Sequence, residues 1–454
     1  MAAGAAAGCG GKDRISALPD DIIWEIISDL PVTEAARSTA LASRWRNIWP
    51  STPLVLDDAD LPEPTRIATV ARILSGHPGP FRDVSLVNCR FGPQDQDHAA
   101  EWLRLLSAKG TRNLVLFNQP SQPPLRLPDD FIRCSSLKVL VLCSWTFPGE
   151  HLPGIFPNLR KLGLSWVSMT DQHFDHLLAA CPFLEFLYFL HDRTLQRIHL
   201  RSQSLRFFLI GLSVMAEEVA VVDAPLLQRL CFDDLRCVGG RQYMRVRVAR
   251  APNLRELGYL DTGVHNLQIG DTVIKVQPNA NYAMASPSTV VPGVKILAVK
   301  VNFGIFGQVK MLVSFLRCFP EVDTLHIESV LHDPSVAADE PTTEHHANFW
   351  QKISPVECLR SRVKKMVFHK FRWDRNEFEF LKFIARDVRE LQSLLVLPDE
   401  ETISSMDKVN EMIDKSECPR FRAWASRVFL VLPGVQKVLD YVKAFDITVD
   451  DPFL

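Results

Sequence analysis

The sequence predicts an α/β protein. It would open with a small helical block, continue as an irregular solenoid of strand-containing repeats with a parallel concave sheet, and close on a strand–helix–strand unit. The pattern apolar-x-x-apolar-x-apolar recurs eleven times between residues 81 and 396. Five apolar residues form one stripe at helical spacing between Pro19 and Pro31. Near residue 365 a strand pattern leads into a helical period and a closing strand. The 454 residues leave room for two or more domains, and 47% hydrophobic content supports a large core. A formal net charge of −2 gives no overall attraction for nucleic acid. No apolar run approaches membrane-spanning length, so no membrane partner is expected. Residues 1–12 read as a flexible N-terminus without the sustained apolar core of a secretory signal. Ten cysteines, scattered without CxxC pairs, suit buried thiols in a reducing compartment, the cytoplasm and/or nucleus.

Residues 13–50 make the helical block. Pro19 stands where a helix starts without losing a hydrogen bond, and Asp20 and Asp21 favour its first turn. Ile22, Ile23, Ile26, Ile27 and Leu30 share one broad face, and Pro31 stops the helix. Thr33 is placed to cap a second helix over 34–42, and Trp45 and Trp49 lie on a third short segment. A block below about 40 residues usually needs a metal, disulfides or a partner to stand alone. No metal set is visible, so either a partner covers the stripe or the block caps a larger domain and buries it internally. Taken together, Leu18-Pro19, the isoleucine stripe, Pro31, Glu34-Ala35-Ala36-Arg37, and Ser43-Arg44-Trp45-Arg46 followed by Trp49 resemble an F-box. The resemblance implies docking on a Skp-type adaptor, which bridges to a cullin scaffold in a ubiquitin ligase. It implies Leu18, Pro19, Ile22, Ile23, Ile26, Ile27, Leu30, Pro31, Leu41 and Trp45 as the residues that pack the adaptor or support that face. Charges at Ile26 and Ile27 should then abolish docking.

The repeats occupy 80–330 and their pattern runs on to residue 396. Copies starting at Leu137, Leu159, Leu184, Leu205, Leu227 and Leu254 follow one another at 22, 25, 21, 22 and 27 residues. That spacing is similar to leucine-rich repeats, each a strand plus a return segment that buries its apolar face only by stacking. Prolines such as Pro157, Pro182, Pro225 and Pro252 enter the copies without costing a ladder bond. Two returns read as helices, 170–180 with Thr170 as cap, and 310–319. Cys89 stands where such repeats place Asn or Cys to bond the turn, but Trp145 and Val167 stand at equivalent places, which predicts uneven curvature. Wider gaps before Val294 and Val363 leave room for loops or for a further strand over 267–276.

Residues 345–400 have their own signature: Asn348-Phe349-Trp350, a strand over 363–368, a helix over 377–387 with Phe378, Leu381, Ile384 and Ala385 as its packed face, and a strand over 391–397. This resembles the FBD domain that follows F-box and leucine-rich repeats in many plant proteins. Residues 401–454, with an amphipathic stretch over 435–445, would cap the open end of the solenoid.

Catalytic chemistry finds no support. Gly10-Gly11-Lys12 lacks the first glycine, the Ser/Thr and the preceding strand of a phosphate loop. His173, His176 and Cys181 lack a fourth ligand, and His345-His346 reads as part of a polar loop over 333–347, so no metal and no cofactor are expected. No nucleophile signature appears, and the protein is expected not to be an enzyme. Arg245 and Arg247 fall on one face of a strand opposite Val246 and Val248. They are candidates for receiving acidic groups on a target, against the reading of a solvated edge strand kept soluble by charge. The resemblance thus implies a non-catalytic substrate-recognition subunit, with an unidentified target protein on the repeat surface and no nucleic acid. The alternatives are a binding scaffold or small-molecule sensor outside ubiquitination.

Overall fold

The computed structural model describes residues 18–41, 43–118, 124–129, 131, 134–147, 156–191, 194–213, 216–235, 243–270, 272–274, 290–331, 343–399, 429–430, 451 and 453. It forms two compact units, Met1–Val167 and Ser168–Leu454.

The first unit opens with α1 (Asp20–Asp29), α2 (Val32–Ser38) and α3 (Ser43–Ile48). Helix α1 starts where Ile23 N–H reaches Pro19 C=O (3.1 Å) and carries Asp20 and Asp21 in its first turn. The second helix begins before the position that Thr33 was expected to cap. Pro31 flanks its start, Ala35 N–H bonds Pro31 C=O (2.9 Å), and Thr33 lies in the first turn. Five parallel strands follow, ordered β1 (Leu54–Asp57), β2 (Phe81–Leu86), β3 (Asn113–Phe117), β5 (Val139–Cys143) and β7 (Lys161–Ser165). A short parallel pair, β4 (Leu125–Arg126) with β6 (Trp145–Thr146), lies beside them. Helices α4 (Arg66–Gly76) and α5 (Gln96–Ala108) return the chain between β1, β2 and β3. Strands β1 and β3 were not legible as copies. Their pattern begins on Ser51 and Thr111, polar residues where an apolar one is expected, although Thr111 is buried.

The turn after β2 is held in an unexpected way. The buried Asp58 carboxylate accepts the backbone N–H groups of Val87 (3.0 Å), Asn88 (2.8 Å) and Cys89 (2.7 Å). The turn-bonding role expected of Cys89 itself is thus filled by the neighbouring repeat. One residue past the strands, Ser144, Trp166, His191, Leu212 and Asp234 adopt positive φ of 59°, 53°, 56°, 51° and 36°. The left-handed turn points several of these N–H groups at the next strand: Ser144 to Ser165 C=O at 2.9 Å, His191 to Gly211 C=O at 3.1 Å, Leu212 to Asp233 C=O at 2.9 Å.

Among the described residues the second unit holds nine parallel strands, ordered β8 (Phe186–Leu190), β10 (Phe207–Gly211), β12 (Arg229–Asp233), β14 (Glu256–Asp261), β17 (Ile296–Val301), β18 (Thr324–Ser329), β19 (Lys365–Phe371), β20 (Ser393–Pro398) and β21 (Phe429–Leu430). The repeat leucines face one side, with Leu187, Phe208, Leu230, Leu257, Leu297, Leu325 and Met366 buried. Between these strands run β9 (Arg197–Arg201), β11 (Glu218–Asp223), β13 (Met244–Val248) and β15 (His265–Ile269), a second parallel sheet closed by the antiparallel β16 (Thr272–Ile274). Four returns are therefore strands. They repeat the same rule, as in Leu195-x-x-Ile198-x-Leu200 and Ala216-x-x-Val219-x-Val221, with those residues buried. The strand expected over 267–276 is thereby split between β15 and β16, with 275 and 276 outside the described residues.

Helices flank this layer: α6 (Asp171–Ala180), whose Thr170 hydroxyl accepts His173 N–H (3.2 Å), and α7 (Phe306–Cys318), which begins earlier than the expected 310. Next come α8 (Thr343–Lys352), α9 (Glu357–Ser361) and α10 (Arg375–Asp387). His345 and His346 thus belong to a helix rather than a loop, and buried His346 packs on the Phe306 ring (5.0 Å). In the strand–helix–strand unit, Leu381, Ile384 and Ala385 of α10 are buried, joined by Phe380 and Phe383, and Trp350 stacks on Phe383 (4.7 Å). The capping stretch expected over 401–454 lies largely outside the described residues. Of it, β21 extends the sheet edge, and Phe453 lies against the sheet in a cluster with Phe186, Phe207, Leu209, Cys231, Tyr259, Ile296 and Ala298.

Candidate functional site

Two surfaces stand out, one helical and one on a sheet. On the helical block the ten expected residues divide between surface and interior. Ile23 and Ile27 are at 0% exposure, and Trp45, Val32 and Ala35 are buried with them. Ile22 and Ile26 each keep 38% exposure and Leu41 keeps 68%. Pro19 and Pro31 are exposed, and Leu18 and Leu30 half-buried. The stripe is wide enough that its centre turns inward while its Ile22/Ile26 flank faces out. Trp24, on the opposite flank, is 39% exposed and donates its indole N–H to Ser51 C=O (3.3 Å); the spacing rule passed over it. Arg82 of β2 holds Asp29 of α1 (3.0 Å), and the Trp49 ring meets His77 edge-on (5.0 Å). Trp49 thus packs toward the first repeats and Trp45 supports the block from within.

Arg245 and Arg247 alternate with buried Met244, Val246 and Val248 on β13, as the period-two pattern requires. The strand is not an edge, because it pairs with β11 on one side and β15 on the other. Arg247 lies 3.4 Å from Glu218, and Arg245 stands in register with the same glutamate. Neighbouring carboxylates therefore already answer part of this basic face.

The outward face of the second unit's main sheet is unlike an ordinary solvated repeat face. Its residues lie between the repeat leucines: Tyr188, Leu209, Cys231, Ala298, His326, and His369 further along β19. A register shift in β14 sets Leu260, not Tyr259, opposite Val299 on β17. Tyr259, expected as the last core residue of its copy, therefore joins the outward-face cluster. Asp451 sits over this face with its carboxylate 3.0 Å from His326 Nε2 and 2.7 Å from Lys365 Nζ. The Phe453 ring lies 5.2 Å from Tyr259 and 5.5 Å from His326, and is 1% exposed. Burial raises the Asp451 pKa, but His326 and Lys365 outweigh it and hold the carboxyl well below its usual range. Burial, with the His326 charge beside it, pushes His369 down to about 3, so its ring is neutral. His369 Nε2 and His326 Nδ1 are 3.0 Å apart. The donor order that agrees with both effects runs outward from His326, whose Nδ1–H donates to the neutral His369 Nε2 and whose Nε2–H donates to Asp451. Beside this relay, Lys370 holds Glu328 (2.7 Å), Lys300 lies over the Tyr259 ring (5.3 Å), and buried Arg229 pairs with Glu256. Burial pushes Glu256 up to about 7 against the pull of Arg229.

This face was missed in the sequence. Its signal was present, however, as apolar and histidine side chains at positions where a bare repeat sheet would carry small polar ones. Burial also pushes the Cys181, Cys318 and Cys358 thiols up to about 12, which makes them poor nucleophiles. Among the described residues, no group of three or more His, Cys, Asp or Glu is placed to hold a metal ion.

Fold and surfaces define a class: a small helical block followed by stacked leucine-rich repeats and a strand–helix–strand unit. Comparison with known proteins agrees. A family model described as the LRR repeats of FBD-associated F-box protein At5g56370 matches residues 99–327, and the FBD model matches 351–394. Relatives from Arabidopsis thaliana include F-box/FBD/LRR-repeat protein At2g04230, 27% identical over 89% of this chain and 94% of the relative. F-box/FBD/LRR-repeat protein At4g00160 is 24% identical over 88% and 90%. F-box/LRR-repeat protein At3g26922 is 27% identical over 54% and 74%. The chain belongs to the plant F-box/FBD/LRR-repeat family.

Proposed function

We propose that this chain is a non-catalytic substrate-recognition subunit of a Skp–cullin–F-box ubiquitin ligase, working in the cytoplasm or nucleus. The helical block docks a Skp-type adaptor and, through it, a cullin scaffold. The repeat unit holds a target protein near a ubiquitin-charged enzyme, so the contribution is proximity rather than chemistry. One observation carries the reading: Ile22, Ile26 and Leu41 are presented outward while Ile23, Ile27 and Trp45 anchor the block from inside. An apolar flank on a well-packed support is what a docking helix needs. Family membership supports it independently.

Changing Ile22 and Ile26 together to Asp tests the docking face. Completing the burial of two isoleucines is worth about 2–4 kcal/mol, or roughly 30- to 1000-fold in affinity. Co-precipitation with a Skp-type adaptor should be lost while the circular dichroism spectrum stays that of the wild type. Retained adaptor binding in a folded double variant would sink the assignment of this face.

A further inference from the structure

We propose that the recess around Tyr259, His326 and Lys365 is a peptide-binding site for an acidic residue followed two positions later by an aromatic ring, and that Asp451 and Phe453 fill it in cis. This rests on the reading that the repeat sheet carries the target. The site has two parts matched to two side chains. A cationic clamp, His326 at 3.0 Å and Lys365 at 2.7 Å, takes the Asp451 carboxylate. A socket floored by Phe207, Leu209, Ile296 and Ala298, with Tyr259 edge-on and His326 tilted against it, takes the Phe453 ring. The Phe453 N–H also meets Asp451 Oδ1 (3.3 Å), which sets the two side chains at the spacing that the recess reads.

Side-chain chemistry, not a simple apolar seal, holds this segment. A permanent core has little use for an ion pair at its rim, since buried charges cost more than apolar residues of the same volume. Here Lys365 keeps 34% of its side chain in solvent beside the Asp451 carboxylate. The His369–His326 relay fixes the donor that faces the carboxylate, which gives selectivity for an acid over an amide. The chain's own Asp-Pro-Phe therefore acts as a built-in competitor, and a target carrying the same acid-x-aromatic signature displaces it. A tethered competitor works at an effective concentration on the order of 1 mM. Against it, a free peptide of about 100 μM affinity would be weakened roughly tenfold.

The test uses the full chain and a fluorescein-labelled peptide, Thr-Val-Asp-Asp-Pro-Phe-Leu, blocked at both ends. Fluorescence anisotropy should show at least tenfold tighter binding to the Asp451→Ala/Phe453→Ala chain than to wild type. Adding Lys365→Glu to that variant should remove the gain. A peptide with its Phe replaced by Ala should bind at least tenfold more weakly. If the double variant fails to fold, Asp451→Asn and Phe453→Ala are measured singly, and either one binding more tightly supports the site. Affinity unchanged by unmasking, or indifferent to Lys365→Glu, overturns it. Adaptor co-precipitation with the same variants reports on the proposed function alone, so the two failures are distinguishable.

Discussion

Ile26 and Ile27 are adjacent in the chain and point about 100° apart around α1. That step separates a side chain facing solvent from one at 0% exposure. A charge at Ile27 would break the block before it could report on docking. The sequence-based expectation of charging Ile26 and Ile27 together would therefore confound unfolding with lost affinity, and Ile22 with Ile26 is the informative pair. A second residue-scale consequence concerns Asp58. Its carboxylate is the shared acceptor of three backbone N–H groups in the turn after β2. Asp58→Ala would strand these donors in a partly buried turn, each at about 1–3 kcal/mol. Urea denaturation should show a loss of about 3 kcal/mol or more. A loss under 1 kcal/mol would mean that water replaces the carboxylate there.

At the scale of elements, α10 illustrates how a buried charge is kept for geometry. Glu377 Oε2 accepts the N–H groups of Arg372 (2.9 Å) and Asp374 (3.1 Å), tying the end of β19 to the start of the helix. Burial nevertheless pushes its pKa up to about 7, above the ordinary 4.5. The folded state then binds this proton more tightly than the unfolded chain. Stability from this group is fullest below about pH 4.5 and declines as pH rises toward 7. Glu377→Gln removes the titration while keeping a carbonyl acceptor. Between pH 5 and 8 the variant should lose less stability with rising pH than the wild type does. Parallel pH profiles for the two chains in urea titrations would show that Glu377 is not the group responsible. The returns between strands teach the complementary lesson. They carry the same alternation as the main strands, but begin on weaker apolar residues such as Ala216, so the pattern thins where the fold does not.

At the scale of the whole molecule, the two proposed surfaces share no residue. Ile22 and Ile26 belong to the first compact unit, and Tyr259, His326 and Lys365 to the second. Ile22→Asp with Ile26→Asp should abolish adaptor capture and leave peptide binding within about twofold. Lys365→Glu should do the reverse. A variant that lost both, while still folded, would show the surfaces to be energetically coupled.

The helical block, the main repeat strands and the strand–helix–strand unit were legible because each rests on periodicity, and periodicity is a property of neighbouring residues. The family followed from the same local signals. Tertiary structure alone decided which side of the isoleucine stripe faces out, that four returns form a second sheet, that β13 is an inner strand, and that Tyr259 leaves the core through a shift in register. It alone brought Asp451 and Phe453 to His326 and Lys365. Those facts depend on contacts between residues tens to more than a hundred positions apart. No local pattern encodes them, because burial and pairing are set by what the rest of the chain leaves uncovered.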